Sequence, residues 1–296
     1  LLYHRAIRNV QEFFHLYKYL SALELFRVWR EDWPPVSVSG CQPRNLQWPT
    51  APSSFEDWET MHLSGVVGGA SLGPALLAYA GRSTLPKAAT LVLWHAAGAG
   101  LLVALAASSH LARHTTGMLG KTPHGSLKPL NLALFWPYHA ALRTKLGLQR
   151  QLSSEPIWNR VTADYYIGAW PSEEALVPAA QLAVLDVTCE LPLQVAAPAY
   201  LALPTWDTHC PTVEQIEAGV AWSERQVAAG RGVLVHCAHG HGRSAAMLAA
   251  ILIARGDAAD VAGAVAMLVA ARPRVRLNAR QQAGLAAWLA ARKGRQ

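Results

Sequence analysis

Residues 233–244 read VLVHCAHGHGRS and hold the densest chemistry in the chain. A short apolar run leads into His236 and a thiol at Cys237. Arg243 follows six positions after the thiol, with Ser244 behind it. The run from Val233 to His236 has the brevity and composition of a buried central strand. From Arg243 onward the sequence reads as helix. A loop joining a strand end to a helix N-terminus turns consecutive backbone N–H groups toward one point and makes an anion site. Gly240 and Gly242 let that loop curl around an oxyanion without Cβ clashes. A sulfur aimed into such donors is favoured as the thiolate, which is a nucleophile. The Arg243 guanidinium matches two phosphate oxygens in bidentate fashion. Ser244 is placed to donate a hydrogen bond to the sulfur and help it leave. A merely structural cysteine would leave Arg243 and both glycines unexplained.

The elements needed to hold this loop are present around it. Residues 164–168 (DYYIG) look like a strand ending in a glycine turn, residues 182–187 like a short apolar strand, and residues 199–203 like another. Residues 212–229 place Val213, Ile216, Val220 and Val227 at helical spacing, with Thr212 as N-cap and Gly230 as the stop. Further helices are expected at about 243–255, 258–271 and 279–293. Alternating strands and helices predict an α/β fold with a central, mostly parallel sheet flanked by helices.

The stretch His236-Cys237-Ala238-His239-Gly240-His241-Gly242-Arg243-Ser244 resembles the His-Cys-x5-Arg-Ser/Thr signature of the cysteine-dependent protein tyrosine phosphatase superfamily. Residues 157–290 look like a compact dual-specificity phosphatase domain, with 151–296 taken as the catalytic unit. Tyr166-Ile167-Gly168, Val187-Thr188-Cys189-Glu190 and Thr205-Trp206-Asp207, the last 30 residues before the cysteine, add to the likeness. The resemblance implies phosphate-monoester hydrolysis through a phosphocysteine intermediate, without metal or organic cofactor. It implies Cys237 as nucleophile and Ala238, His239, Gly240, His241, Gly242 and Arg243 as the phosphate cradle. It implies His236 as a residue orienting the loop, and Asp207 as general acid and then base. Asp186, inside an apolar strand, is the competing aspartate and reads as structural. His239 and His241 read as solvent-facing loop residues, or as added positive charge when protonated. Cys189 and Cys210 read as packing, with oxidative trapping of Cys237 as the alternative. Residues 272–278 (RPRVRLN) read as a substrate-contacting segment or an exposed basic loop.

The N-terminal half differs in kind. The chain has 296 residues, 52% hydrophobic and only 15% charged, below the ~25% usual for soluble domains. Residues 1–150 hold 14 basic and 7 acidic residues, whereas residues 151–296 hold 12 of each, so the whole excess of +7 lies in the first half. Eighteen uncharged residues run from Ser64 to Gly81, and 25 from Ala88 to Ala112. A hydrocarbon core needs about 20 apolar helical residues. Transmembrane helices are therefore expected at about 62–81 and 88–112, within a helical membrane-associated region spanning 1–150. A pair of buried helices in a soluble bundle is the alternative. Residues 1–30 mix aromatic, aliphatic and basic residues as an amphipathic helix would, and residues 34–54 look like loop. Residues 129–142 suit an interfacial helix or a core helix of the next domain. The basic residues after the second run put the catalytic half on the cytoplasmic side, or its organellar equivalent. Four scattered cysteines, at 41, 189, 210 and 237, exclude a disulfide framework and a zinc ribbon. The first residue is Leu rather than Met, so the natural start is expected to lie upstream. No nucleic-acid motif accompanies the basic residues.

Together these features predict a membrane-anchored phosphatase. Its expected substrate is a phospholipid headgroup, such as phosphatidylglycerophosphate or a phosphoinositide. A membrane-tethered dual-specificity protein phosphatase is the alternative. An inactive phosphate-binding module is disfavoured, because Cys237, Arg243, Ser244 and Asp207 are all present.

Overall fold

The computed structural model describes residues 63–171 and 182–294. The expectations for residues 1–30 and 34–54, and Cys41, lie outside them. Five strands form one sheet: β1 (Trp158–Arg160), β2 (Tyr165–Gly168), β3 (Ala183–Asp186), β4 (Tyr200–Ala202) and β5 (Val233–His236). Their order is β1-β2-β5-β3-β4, with β5 at the centre. Only the edge pair β1–β2 is antiparallel. The mostly parallel sheet expected from the alternating pattern is therefore observed, with β1 added at one edge. Gly168 and Asp186 flank His236 in register, so three strands end together where the Cys237 loop begins.

Successive strand residues face opposite sides of a sheet. Tyr165, Ile167, Ala183, Leu185, Val233 and Val235 share one face and are buried in the main core. The helix α7 (Arg243–Arg255) lies in this core, buried from Arg243 through Leu252. Its all-apolar interior is packed by α6 (Val213–Ala228), α8 (Val261–Ala271) and α9 (Ala279–Lys293). Thr212 caps α6 and Asn278 caps α9, each through a reciprocal capping box with a glutamine three positions on.

Before the sheet come α1 (Leu63–Ala80), α2 (Lys87–Ala106), the single turn α3 (Ala112–Thr115), α4 (Pro129–Leu134) and α5 (Trp136–Leu152). The first two form an antiparallel hairpin whose seam is made of small residues. A Cβ added to Gly100 would lie 2.2 Å from Ser71 Oγ, and one added to Gly68 would lie 3.5 Å from Ala104. Close backbone approach through small residues is the packing mode of membrane helices. Both helices are long and apolar enough to cross a membrane, with mean hydropathy 1.4 and 1.8. Leu72, Leu76, Leu91, Trp94, Leu101 and Leu105 remain exposed on their outer faces.

The second helix stops at Ala106, six residues before the expected 112. Ser108, Ser109 and His110 interrupt the apolar run, and the Thr115 hydroxyl donates to the terminal carbonyl of Ala106 at 2.6 Å. That side chain satisfies a carbonyl that would otherwise continue the helix. Residues 129–142 are also broken, between α4 and α5, with Phe135 at the junction and buried.

Asp186 organises the region beneath the site. Lys121 Nζ donates to Asp186 Oδ2 at 2.5 Å and to both oxygens of Thr188 at 2.8 Å, so all three ammonium protons are used. Tyr200 donates to the same carboxylate at 2.9 Å, and His236 Nε2 lies 3.5 Å from it. Burial by itself would raise the Asp186 carboxyl. His236 and Lys121 outweigh burial and hold it far below the usual carboxylate range. Removing one member of a buried pair leaves an uncompensated charge, at a cost on the order of 3–5 kcal/mol. Lys121→Met is therefore expected to lower the thermal midpoint of the detergent-solubilised chain by about 10 °C. An unchanged midpoint would show the pair to be energetically idle. Because the folded-state carboxyl is depressed, its contribution is present above about pH 4 and is lost as the pH falls below that.

Candidate active site

The loop from Cys237 to Gly242 joins the end of β5 to the start of α7. Cys237 is buried, 3% exposed. Its sulfur accepts a hydrogen bond from the Gly240 N–H at 3.3 Å and from the Ser244 hydroxyl at 3.3 Å. Gly240 has φ +79°, and a Cβ there would lie 2.6 Å from the Gly168 backbone. Only glycine fits this position, on both counts.

The loop is braced from outside. Arg272 donates to the His239 carbonyl at 2.8 Å, to Glu155 at 3.0 Å, and to the Pro156 carbonyl and Asn159 at 2.7 Å each. Its side chain is buried, so Arg272 is a brace and not part of an exposed basic loop. Trp170 N–H donates to the Ala238 carbonyl, and Arg276 N–H to the His241 carbonyl. His241 Nε2 lies 2.8 Å from Glu155, and its ring stacks on that of His239. The two histidines are half-buried rather than solvent-facing. Burial lowers His239 to about 4, against the pull of Asp207, and lowers His241 against the pull of Glu155. Both shifts favour the uncharged rings near neutral pH, which speaks against the alternative of added positive charge.

Arg243 is 1% exposed and faces three partners. Its two terminal nitrogens grip the Glu190 carboxylate at 2.7 and 3.0 Å. One of them also donates to the Thr205 carbonyl at 2.8 Å. Its Nε lies 3.3 Å from Asp207 Oδ1. The Asp207 side chain is 44% exposed, at the mouth of the site. Desolvation raises its carboxyl, but Arg243, His239, Lys145 and the Thr208 N–H together hold it below the ordinary value. The fold thus brings Cys237, Arg243, Ser244, Asp207 and the loop amides together. It places His236 behind the loop, beside Asp186 and with Nδ1 3.3 Å from the Cys237 carbonyl.

Glu190 was visible in the sequence only as part of a strand exit. Its place past the end of β3, in the crevice beside β5, is the signal that marks it: ligands of open α/β sheets bind outside the carboxyl ends of the strands. Tyr138 of α5 gave no such signal. It packs beside Cys189, Trp206 and Phe135, and burial together with Glu190, Cys189 and Asp207 keeps its phenol protonated. Further along α5, Leu142 and Leu146 pack with Trp170, Leu191 and Ala238, and Arg150 donates to the Trp170 carbonyl at 2.5 Å. One face of α5 therefore lies along the loop. Cys189, Cys210 and Cys237 are all free thiols. Burial raises both Cys189 and Cys210, the latter to about 12, which makes them poor attackers in thiol exchange.

Residues 175–257 match a family model described as "Tc-R-P: Polymorphic toxin system, DSP-PTPase phosphatase". No curated protein matches the chain. Among solved structures, PTPMT1 in complex with PI(5)P is 23% identical, covering 47% of this chain and 98% of that one, with TM-score 0.43. A mouse putative dual specificity phosphatase complexed with zinc tungstate is 28% identical, covering 48% and 92%, with TM-score 0.43. Human DUSP28 is 28% identical, covering 47% and 96%, with TM-score 0.41. Residues 175–257, which hold the Cys237–Arg243 loop, thus match a phosphatase domain of the dual-specificity type, a phosphoric monoester hydrolase.

Two outcomes test this geometry. Glu190→Ala leaves the Arg243 fork without its carboxylate and is expected to cost about 3–5 kcal/mol of stability, with at least tenfold weaker tungstate binding by calorimetry. Unchanged tungstate affinity would mean that Glu190 does not orient the fork. In an NMR titration His239 is expected to stay neutral from pH 8 down to about 5. Its folded-state value lies below the unfolded ~6.5, so its contribution to stability is complete above about 6.5 and is lost as the pH falls toward 4.

Proposed function

We propose that this protein is a membrane-anchored phosphatase that hydrolyses a phosphate monoester on a phospholipid headgroup, such as phosphatidylglycerophosphate or a phosphoinositide. The observation that carries the chemistry is the Cys237 sulfur held by Gly240 N–H and Ser244 O–H next to a fully buried Arg243. The Cys237 thiolate attacks phosphorus in line. The P–O bond to the leaving group breaks as the S–P bond forms. Amides of residues 238–242 and the Arg243 guanidinium stabilise the equatorial oxygens. Asp207 gives its proton to the departing alkoxide. In the second step the Asp207 carboxylate takes a proton from water, the resulting hydroxide attacks phosphorus, and the S–P bond breaks to release phosphate. Ser244 stabilises the sulfur as its charge returns. Arg243 by itself favours ionised Asp207. A bound phosphate dianion neutralises Arg243 and favours the protonated acid that the first step requires. Glu190 presents the guanidinium edge, and His236 supports the loop from behind.

The lipid assignment rests on where the hairpin ends. Ala99, Val103, Ala106 and Ala107 are buried in one cluster with Trp206, the neighbour of Asp207. A hairpin inserted in a bilayer would therefore hold the site at the membrane surface, within reach of a headgroup. The basic residues Arg113, Lys128, Arg143 and Lys145 follow the hairpin and support a catalytic side facing the cytoplasm or its organellar equivalent.

The test is phosphate release by the full chain reconstituted in vesicles. Vesicles carrying phosphatidylglycerophosphate or phosphoinositides are compared with phosphotyrosine and phosphoserine peptides. Lipid turnover at least tenfold above peptide turnover, abolished by Cys237→Ser, is the expected result. Preference for peptides would reduce the hairpin to an anchor and make the protein a dual-specificity protein phosphatase. Asp207→Asn is expected to slow alkyl phosphate esters by at least ~100-fold, while esters with good leaving groups are slowed far less.

A further inference from the structure

We infer that the hairpin end positions the proton donor from outside the reacting site: Thr115 and Trp206 hold the loop that carries Asp207. This rests on the reading of Asp207 as general acid. The Thr205–Asp207 segment contains no regular secondary structure of its own, so its place is fixed by its partners. On one side Arg243 holds the Thr205 carbonyl at 2.8 Å and lies 3.3 Å from Asp207. On the other side Trp206 is 1% exposed and points its indole into the cluster formed by Ala99, Val103, Ala106, Leu119 and Phe135. Its Nε1–H donates to Thr115 Oγ1 at 3.1 Å. The Thr115 hydroxyl in turn donates to the carbonyl of Ala106, the last residue of α2, at 2.6 Å.

A continuous relay therefore runs from the end of the second apolar helix to the residue preceding the general acid. The hydroxyl is suited to the task because it accepts from the indole while donating to the helix carbonyl. The described donors to the Cys237 sulfur are Gly240 and Ser244, and Thr115 and Trp206 act through the 205–207 loop, so both are positioning residues. The hairpin is also joined to α4 by His95 Nε2 at 3.0 Å from the Leu134 carbonyl, and to α5 by stacking of His95 on Trp136. The hairpin thus meets the rest of the fold by two routes, and the Thr115 route leads to Trp206, the neighbour of Asp207.

Misplacing a proton donor penalises only reactions that need the proton. Thr115→Val, in the full chain, is expected to lower kcat on glycerol phosphate, a poor leaving group, by about tenfold or more. Its kcat on p-nitrophenyl phosphate is expected to change by less than threefold, with KM unaltered for both. Thr115→Ser keeps the hydroxyl and is expected to restore the glycerol phosphate rate. Trp206→Phe keeps the buried ring without the N–H and is expected to reproduce the Thr115→Val pattern, which guards against a folding defect in any one variant. Equal slowing of both substrates would assign Thr115 to structure alone and overturn the inference, as would wild-type rates on both. Asp207→Asn is run in parallel. If it too spares glycerol phosphate, the general-acid reading fails first. If it shows the leaving-group split and Thr115→Val does not, only the positioning inference fails.

Discussion

The buried pairing of Arg243 with Glu190 is the interaction on which the rest of the site depends. A guanidinium at 1% exposure is costly unless its donors are used. Here Glu190 takes two bonds and the Thr205 carbonyl one, leaving Nε toward Asp207. That arrangement ties the end of β3, the 205–207 loop and the start of α7 to a single side chain. It also sets the charge seen by Asp207, the proposed proton donor. Gly240 supplies the complementary constraint. Its positive φ and its contact with the Gly168 backbone fix the curl that aims an N–H at the sulfur.

The basic N-terminal half is bound into this arrangement at several points. Lys121 is consumed by Asp186 and Thr188 beneath the sheet ends. Trp206 sits in a cluster built largely from residues 99–135. One face of α5 packs along the loop from Tyr138 to Leu146. These contacts explain why a helical hairpin with exposed apolar outer faces is buried at one end: that end packs against Trp206 and Cys189.

Much of the catalytic half could be read from the sequence because its information is local. Cys237, Arg243 and the glycines lie within seven residues, and each strand is a short apolar run next to a turn residue. The α/β sheet and its helices follow from those runs. What could not be read is set by distant partners. Glu190 is 53 residues from Arg243, Lys121 is 65 from Asp186, and Thr115 is 91 from Trp206. Hydropathy placed the end of the second apolar helix too late, because it registers side-chain polarity and not a threonine hydroxyl folding back onto a carbonyl. The same blindness applied to His239 and His241. A loop histidine looks charged and exposed until the stacking partner and the buried surroundings are known.

The central claim is that Cys237 forms a covalent bond to phosphorus. Rapid acid quench of the full chain during turnover, followed by peptide mass spectrometry, reads this directly. With p-nitrophenyl phosphate as substrate, a phosphoryl adduct is expected on the peptide holding Cys237, at the sulfur itself, accumulating in Asp207→Asn as the second step slows while the first, with its good leaving group, is largely spared. Turnover with no adduct on Cys237 in either form, or an adduct on another residue, would contradict it.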